Sequence, residues 1–473
     1  MAGRPRIVKQ PNDLLDHWIV RARVSNAQLA REVARRAHAA GERGINPSES
    51  RVRAWRSGET PRHPVPQLIA DYLSERTGLP LTCADIGLLD RAAPVAAGPE
   101  LPWEPVTTIA AIAHLTRSEM MLPHSRDTDE SRAIHTGESL LTPLQRWPMA
   151  TPSAPLVREG GRLGSSDIEG IRAVTRMFRD TDNRYGGVLS RKAVIAQMAD
   201  ANVLLDTCSY SETTGRALFA AVADLGSVAG WMSFDAGKHQ SAQALFLTAL
   251  HAASEAGDKA LGAHIIQCMA RQMSHLQHYD DALDLVLLAQ YGARRQATPA
   301  TRSMLAALAA RFQAILGQVE ESARAATQAQ EIFADVRPDE EPDHMAFFDE
   351  AELAATIGIA YQIAAKHDTG PSRTRRAETS LQLLGRALTL RPEHRVRSKA
   401  FDHLGLARTH LAVGELAGAQ QETQTALALF GSIGSKRVGD RLVELHDEAA
   451  PYVPSPEAAQ LRERIRAAVT IAR

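Results

Sequence analysis

Ser48, Ser50, Arg51, Arg53 and Arg56 crowd one short stretch between Pro47 and Gly58. At helical spacing, side chains of these types can read nucleic acid. An arginine at a base edge bonds guanine through two parallel hydrogen bonds, and each good pair contributes about 1–3 kcal/mol of discrimination. Short polar residues at the start of such a helix let it enter the major groove. Gln28 joins these five as a candidate DNA contact. Arg4, Arg6 and Lys9 precede the first helical pattern and suit an arm that reaches phosphates or the minor groove.

Charge is segregated along the chain. Residues 1–62 hold 13 Arg and Lys against six acids, so this end carries +7, whereas the whole chain carries -1 and the remainder therefore -8. A basic module attached to an acidic body suits a polyanion at one end only.

Other chemistries lack their signatures. The chain has no GxxxxGK[ST], dinucleotide GxGxxG, HExxH or GxSxG pattern. His264 and Cys268 stand one helical turn apart with His275 and His278 nearby, a set that either binds metal or packs as a cysteine among polar histidines. The packed reading is adopted, so no metal, cofactor or catalytic residue is expected, and the chain reads as a non-enzyme. The three cysteines are far apart, no signal-peptide core opens the chain, and no run of about 18 apolar residues occurs. A cytoplasmic location away from membranes is the expectation.

Helices must position the basic residues. Leu14, Leu15, Trp18 and Ile19 predict a first helix over about 13–23, and Ser25 can cap a second that buries Leu29, Ala30, Val33 and Ala37. A third opens near Pro47 and stops at Ser57-Gly58, with Val52 and Trp55 inward; a fourth runs over about 65–76. These assign residues 10–80 to a small helical domain. Gln28-Leu-Ala-Arg-Glu32 and Val52-Arg-Ala-Trp-Arg-Ser-Gly-Glu-Thr-Pro61 resemble the lambda-repressor-like (Xre-type) helix-turn-helix, although Ala37 to Pro47 is longer than that family's tight turn. The resemblance implies binding to double-stranded DNA.

Further along, small residues recur. Gly230, Ala242 and Ala249 fall where two antiparallel helices must touch, with Gly237 between them. The pattern returns at Ala270, Gln277, Ala282 and Ala289, at Ala310, Gly317, Ser322 and Ala329, at Gly358, Ser380 and Ala387, and at Ala407, Gly414, Ala419 and Ala426. This predicts a tetratricopeptide-like α-solenoid over residues 167–473. Ala242, Ala282 and Ser322 are 40 residues apart, but Ser380 follows Ser322 by 58, so an insertion is expected over about 366–376. Residues 91–166, rich in Pro, Gly, Ser and Thr, read as a linker with one short helix, in which Trp103 and Trp147 either dock on the body or ride on a mobile tether. The whole chain is expected to be all-α.

Phe178-Arg-Asp-Thr-Asp-Asn-Arg-Tyr-Gly-Gly187 and Ala229-Gly-Trp-Met-Ser-Phe-Asp-Ala-Gly237 are similar to the tetratricopeptide regulators of actinobacteria. That resemblance implies transcriptional control of specialised metabolism or development. It directs attention to a groove that takes a peptide or small-molecule effector, with Asp182, Arg184, Asn202, Gln267 and Gln272 as candidates; Asp182 and Arg184 alternatively cap a helix and pair with each other. The peptide-pheromone receptors with this layout grip peptide backbones with Asn, yet only Asn183 and Asn202 follow position 46 here. The reading that combines these observations is a homodimeric DNA-binding regulator; the alternative is a protein-protein scaffold without sequence-specific DNA binding.

Overall fold

The computed structural model describes residues 11–471 except 40, 43, 60, 63, 80, 84, 89–97, 122–132, 153–160, 187–189 and 434. Among the described residues the chain is all-α, and it divides into two compact units, residues 1–94 and 95–473.

The first unit holds α1 (Asp13–Arg21), α2 (Asn26–Ala39), α3 (Glu49–Arg56) and α4 (Val65–Thr77). Each presents one apolar stripe to a shared core of Leu15, Trp18, Ile19, Leu29, Val33, Val52, Trp55, Ile69 and Leu73. Leu14 is the exception to the expected faces, since it points outward. The core continues past the predicted limit at 80, because Leu81, Ile86 and Leu88 pack into it. Asn12 fastens this closing segment: its Nδ2 donates to the carbonyls of Ile86 and Gly87 at 3.0 and 2.9 Å, while its Oδ1 accepts from the Leu15 amide at the start of α1. Gly87 has φ +65°, and a Cβ there would collide with the Asn12 side chain.

The second unit opens with α5 (Pro105–Met121) and α6 (Glu138–Leu144), followed by α7 (Ser165–Tyr185) and α8 (Arg191–Thr207). Five helical hairpins follow, in a solenoid-like stack. They are α9 (Glu212–Asp235) with α10 (His239–Ala256), α11 (Lys259–His275) with α12 (Tyr279–Ala293), α13 (Pro299–Ile315) with α14 (Val319–Phe333), α15 (Glu350–His367) with α16 (Gly370–Leu390), and α17 (Val396–Ala412) with α18 (Leu416–Phe430). Helices α19 (Lys436–Glu448) and α20 (Pro456–Ile471) end the unit.

Small residues do set the hairpin contacts. A Cβ on Gly230 would lie 2.5 Å from the Phe246 ring, and one on Gly226 would lie 2.8 Å from the Ala249 Cβ, so α9 and α10 approach closely only because these positions are glycine. Gly237, Gly317 and Gly414 turn their hairpins at φ +75°, +75° and +78°, and Gln277 takes the same left-handed conformation at +69°.

Two sequence expectations differ from the structure. The extra length before Ser380 does not lie mainly at 366–376, where α15 passes into α16. Part of it is the connection 334–349, which carries short 3-10 turns at Pro338–Glu340 and Asp343–Met345. The rest does fall within the expected stretch, as an N-terminal extension of α16 from Gly370: Ser380 is the eleventh residue of that helix, whereas Ser322 is the fourth of α14. Nor is the stretch 91–166 merely a linker with one helix. It supplies two helices, and Ile109, Ile112, Leu115, Leu140, Leu144 and Trp147 belong to the core of the second unit. Trp103 stacks on His251 at 3.8 Å, and the Trp147 ring fills the space over Gly262 and Gly292. Pro-rich composition signalled irregular backbone here, but burial of the aromatic and aliphatic residues outweighs it.

Helix α9 is long and apolar enough to cross a membrane by length and composition, but 78% of its most apolar window is buried inside the protein.

Candidate functional site

The expected DNA-contacting residues divide sharply once α3 is placed. Val52 and Trp55 are buried, 0% and 3% exposed, which turns Ser50, Arg51 and Arg53 outward with Ser48 at the helix start. Arg53 reaches back one turn to Glu49 at 2.5 Å, and Arg51 meets Glu59 at 3.2 Å. Both arginines stay well exposed, so these pairs are loose and exchangeable. The Ser48 and Ser50 hydroxyls bond each other at 2.7 Å.

Two other candidates are occupied by the fold. Arg56 Nε donates to Asp16 on α1 at 2.7 Å and its Nη1 donates to Asn26 at the start of α2 at 2.9 Å, so this side chain clamps three helices instead of projecting outward. Gln28 is half of a capping box: its Oε1 accepts from the Ser25 amide at 2.8 Å, while Ser25 Oγ accepts from the Gln28 amide at 3.2 Å. The Ser-x-x-Gln spacing that announces this motif was present in the sequence. Arg4, Arg6 and Lys9 lie outside the described residues.

The body contains a cavity of about 390 Å³. It forms because the stack curls back on itself: Arg397 on α17 pairs with Asp182 on α7 at 2.6 Å and with Asp235 at the end of α9 at 2.8 Å, and His275 on α11 faces Asp440 on α19 at 3.2 Å. The first helix of each hairpin supplies the inner wall. At the position directly after the small anchor residue, these helices carry Trp231, Arg271, Arg311, Ile359 and Arg408, and all five line the cavity. Among the described residues ten arginines line it, against five carboxylates.

Of the five expected groove residues, Asp182 and Gln267 line the cavity. Asp182 does so while bound to Arg397, 215 positions away, and not to Arg184, which is exposed and outside the lining. Gln267 Oε1 accepts from Arg271 Nε at 2.9 Å. Asn202 and Gln272 lie elsewhere: Asn202 donates to the Ile109 carbonyl at 3.0 Å and ties α8 to α5, and Gln272 donates to the His239 carbonyl at 2.6 Å. Both are buried amides that satisfy backbone carbonyls of the fold. His264 and the buried Cys268 both line the cavity, and His264 stands beside His344 with ring centroids 5.0 Å apart.

Residues 15–89 match the SP15 N-terminal domain family. The matched span includes the closing segment 81–88 as well as all of α2, α3 and α4, and so coincides with the packed core of the first unit. No curated protein matches the chain.

Electrostatics single out part of the cavity wall. Glu352 accepts from both Arg391 at 3.0 Å and Arg271 at 3.4 Å; burial works against its ionisation, but these arginines hold its carboxyl down at about 2. Asp235 is likewise shared between Arg397 and, at 3.5 Å, Arg437. The Arg437 guanidinium sits 4.7 Å from the Trp231 ring, 4.5 Å from Phe234 and 5.1 Å from Phe401. Arg311 has no ion pair or hydrogen bond among the described residues, and its Nε is buried without an acceptor. Burial, with Arg441, Arg271 and Arg437 close by, pushes this guanidinium down to about 9, which leaves it charged at neutral pH. Among the described residues the Arg395 guanidinium donates only to Asn183 Oδ1, at 3.3 Å, and its Nε is also unsatisfied.

Reasoning from sequence passed over these arginines because the body is acidic overall. A signal was available in the register. Arg271 and Arg311 stand 40 residues apart, each interrupting an apolar helix directly after an anchor alanine.

Proposed function

We propose that the protein is a DNA-binding transcriptional regulator whose N-terminal unit contacts double-stranded DNA and whose helical body mediates dimerisation or senses an effector. The observation that carries this reading is α3: one face is locked into the core through Val52 and Trp55, and the other offers Ser48, Ser50, Arg51 and Arg53 to solvent. A short helix fixed from behind and polar in front has the form that enters a major groove. The +7 charge of residues 1–62 supports it by favouring a polyanion. The likeness to Xre-type helix-turn-helix proteins and to tetratricopeptide regulators of actinobacteria supports the same reading, together with a cytoplasmic, homodimeric protein that binds paired half-sites. Control of specialised metabolism or development rests on that likeness alone.

Gel shift and fluorescence anisotropy with the protein's own upstream region test the proposal. Binding should weaken steeply between about 50 and 200 mM salt, by several powers of ten if six or more phosphates are contacted. Arg51→Ala should abolish sequence preference while leaving the melting profile of the body unchanged. A variant with the same sequence preference as the wild type would overturn the assignment of α3.

One observation favours the alternative, a scaffold that does not read DNA sequence. Arg51, Arg53 and Arg56 each have a carboxylate partner within the first unit, which offsets part of the basic charge. Genome-wide mapping of bound DNA fragments separates the readings, since a scaffold enriches no common sequence.

A further inference from the structure

We infer that the arginine-lined cavity of the body is a binding site for a small organic anion bearing phosphate or carboxylate groups, with Arg311 and Arg395 as its principal contacts and Arg271 and Arg437 beside them. Arg311 and Arg395 are half-buried, with the Nε of each shut off from water, and a guanidinium desolvated in this way without an ionic partner is costly. Among the described residues neither Arg311 nor Arg395 has a carboxylate within ion-pair distance, and the nearby acids are already divided: Glu352 serves Arg391 and Arg271, and Asp235 serves Arg397 and Arg437.

Unused donors line the same cavity. Nε of Arg311, Nε of Arg395, Nη2 of Arg271 and Nε2 of Gln362 are buried without acceptors, and all four side chains line the cavity. Donors outnumbering acceptors call for a ligand rich in acceptors, and the planar fork of arginine fits the paired oxygens of phosphate or carboxylate. The cavity's size suits a small molecule. Closure of the stack by the Arg397 pairs with Asp182 and Asp235 further argues against an extended peptide lying along an open groove. Arg271 and Arg311 also hold equivalent positions in successive hairpins, so the repeat itself places the cations on one inner surface.

The site stands whether or not the first unit binds DNA; only its use as an effector site rests on the regulatory reading. The test uses the full chain, with pyrophosphate, ADP and citrate as probes in calorimetry and thermal unfolding, and sodium chloride of equal ionic strength as control. At least one probe should bind once per chain and raise the melting temperature by about 3 °C or more at a concentration far above its dissociation constant. Pyrophosphate or ADP binding without citrate assigns phosphate, and the reverse assigns carboxylate. Arg311→Met and Arg395→Met should each weaken binding at least about tenfold, whereas Arg324→Met, on the exposed face of α14, should leave it unchanged. Arg311→Met should also keep or raise the melting temperature without ligand, so lost binding is not mistaken for unfolding. The inference is overturned if no probe exceeds the salt control, if both Met variants bind like the wild type, or if an eight-residue poly-glutamate peptide binds more tightly than every small anion. Anisotropy with DNA, measured on the same samples, keeps the readings apart: absence of DNA binding removes the regulator but not the anion site.

Discussion

At the scale of single residues, the same side-chain type does opposite things a few positions apart. Arg53 and Arg56 both belong to α3, but Arg53 is exposed while Arg56 joins Asp16 and Asn26 of two other helices. Arg56→Ala should therefore lower the stability of the first unit by about 1–2 kcal/mol, the range for charged hydrogen bonds discounted for partial exposure. Arg53→Ala should cost little stability; comparison of urea midpoints checks both. Buried histidines set a second expectation. His251, stacked on Trp103 with both ring nitrogens unpartnered, is held down at about 3 by burial, and His239 is held down at about 4 by burial and by His275. Unfolded histidine takes up its proton near 6.5, so between that pH and about 4 the unfolded chain binds more protons. Stability should be full above about 6.5 and decline as pH falls toward 4. That decline precedes the loss of the ion pairs of Glu352 and of Glu444, which meets Arg408 at 2.7 Å and Arg441 at 2.6 Å; these carboxyls, held at about 2, lose their contribution only below about 4.5. Melting temperatures measured over this range should show the slope, and His251→Leu should flatten it; an unchanged slope in that variant would contradict the assignment.

At the scale of elements, the hairpin turns show how a repeat tolerates an imperfect copy. Gly237, Gly317 and Gly414 occupy the left-handed conformation without a side-chain penalty, but Gln277 must hold it with a Cβ. Gln277→Gly should relieve that strain and, after the extra freedom glycine gives the unfolded chain, stabilise the protein by about 0.5–1 kcal/mol. Chemical denaturation of the single variant checks this, and a loss of stability would mean that the exposed Gln277 side chain makes a compensating contact. Close packing at Gly230 against Phe246 and at Gly358 against Leu384 belongs to this scale too, because the small residue matters only through the helix opposite.

At the scale of the whole molecule, two units of different charge character share one chain. The first gathers basic residues on a small helical core, and the second stacks hairpins until its early helices meet its late ones. Asp235 and Asp182 receive Arg397 at that junction, so closure of the stack and the polarity of its interior depend on the same ion pairs. DNA binding by the first unit and anion binding by the second are separable by measurement, and each has variants that should spare the other.

The helices, their apolar faces and the hairpin register were legible in the sequence because they are local. Period and small-residue spacing fix which side of a helix is buried, and a left-handed turn declares itself through glycine. The Gln28 capping box was legible as well, being a contact three residues long. Sequence alone left undecided which arginines are spent within the fold and which face a ligand. Arg56 meets a partner 40 positions away and Arg397 one 215 positions away, whereas Arg311 meets none among the described residues. Only the curling of the stack brings α7, α9, α17 and α19 together, and charges so distant along the chain acquire a common environment when packing removes the water between them.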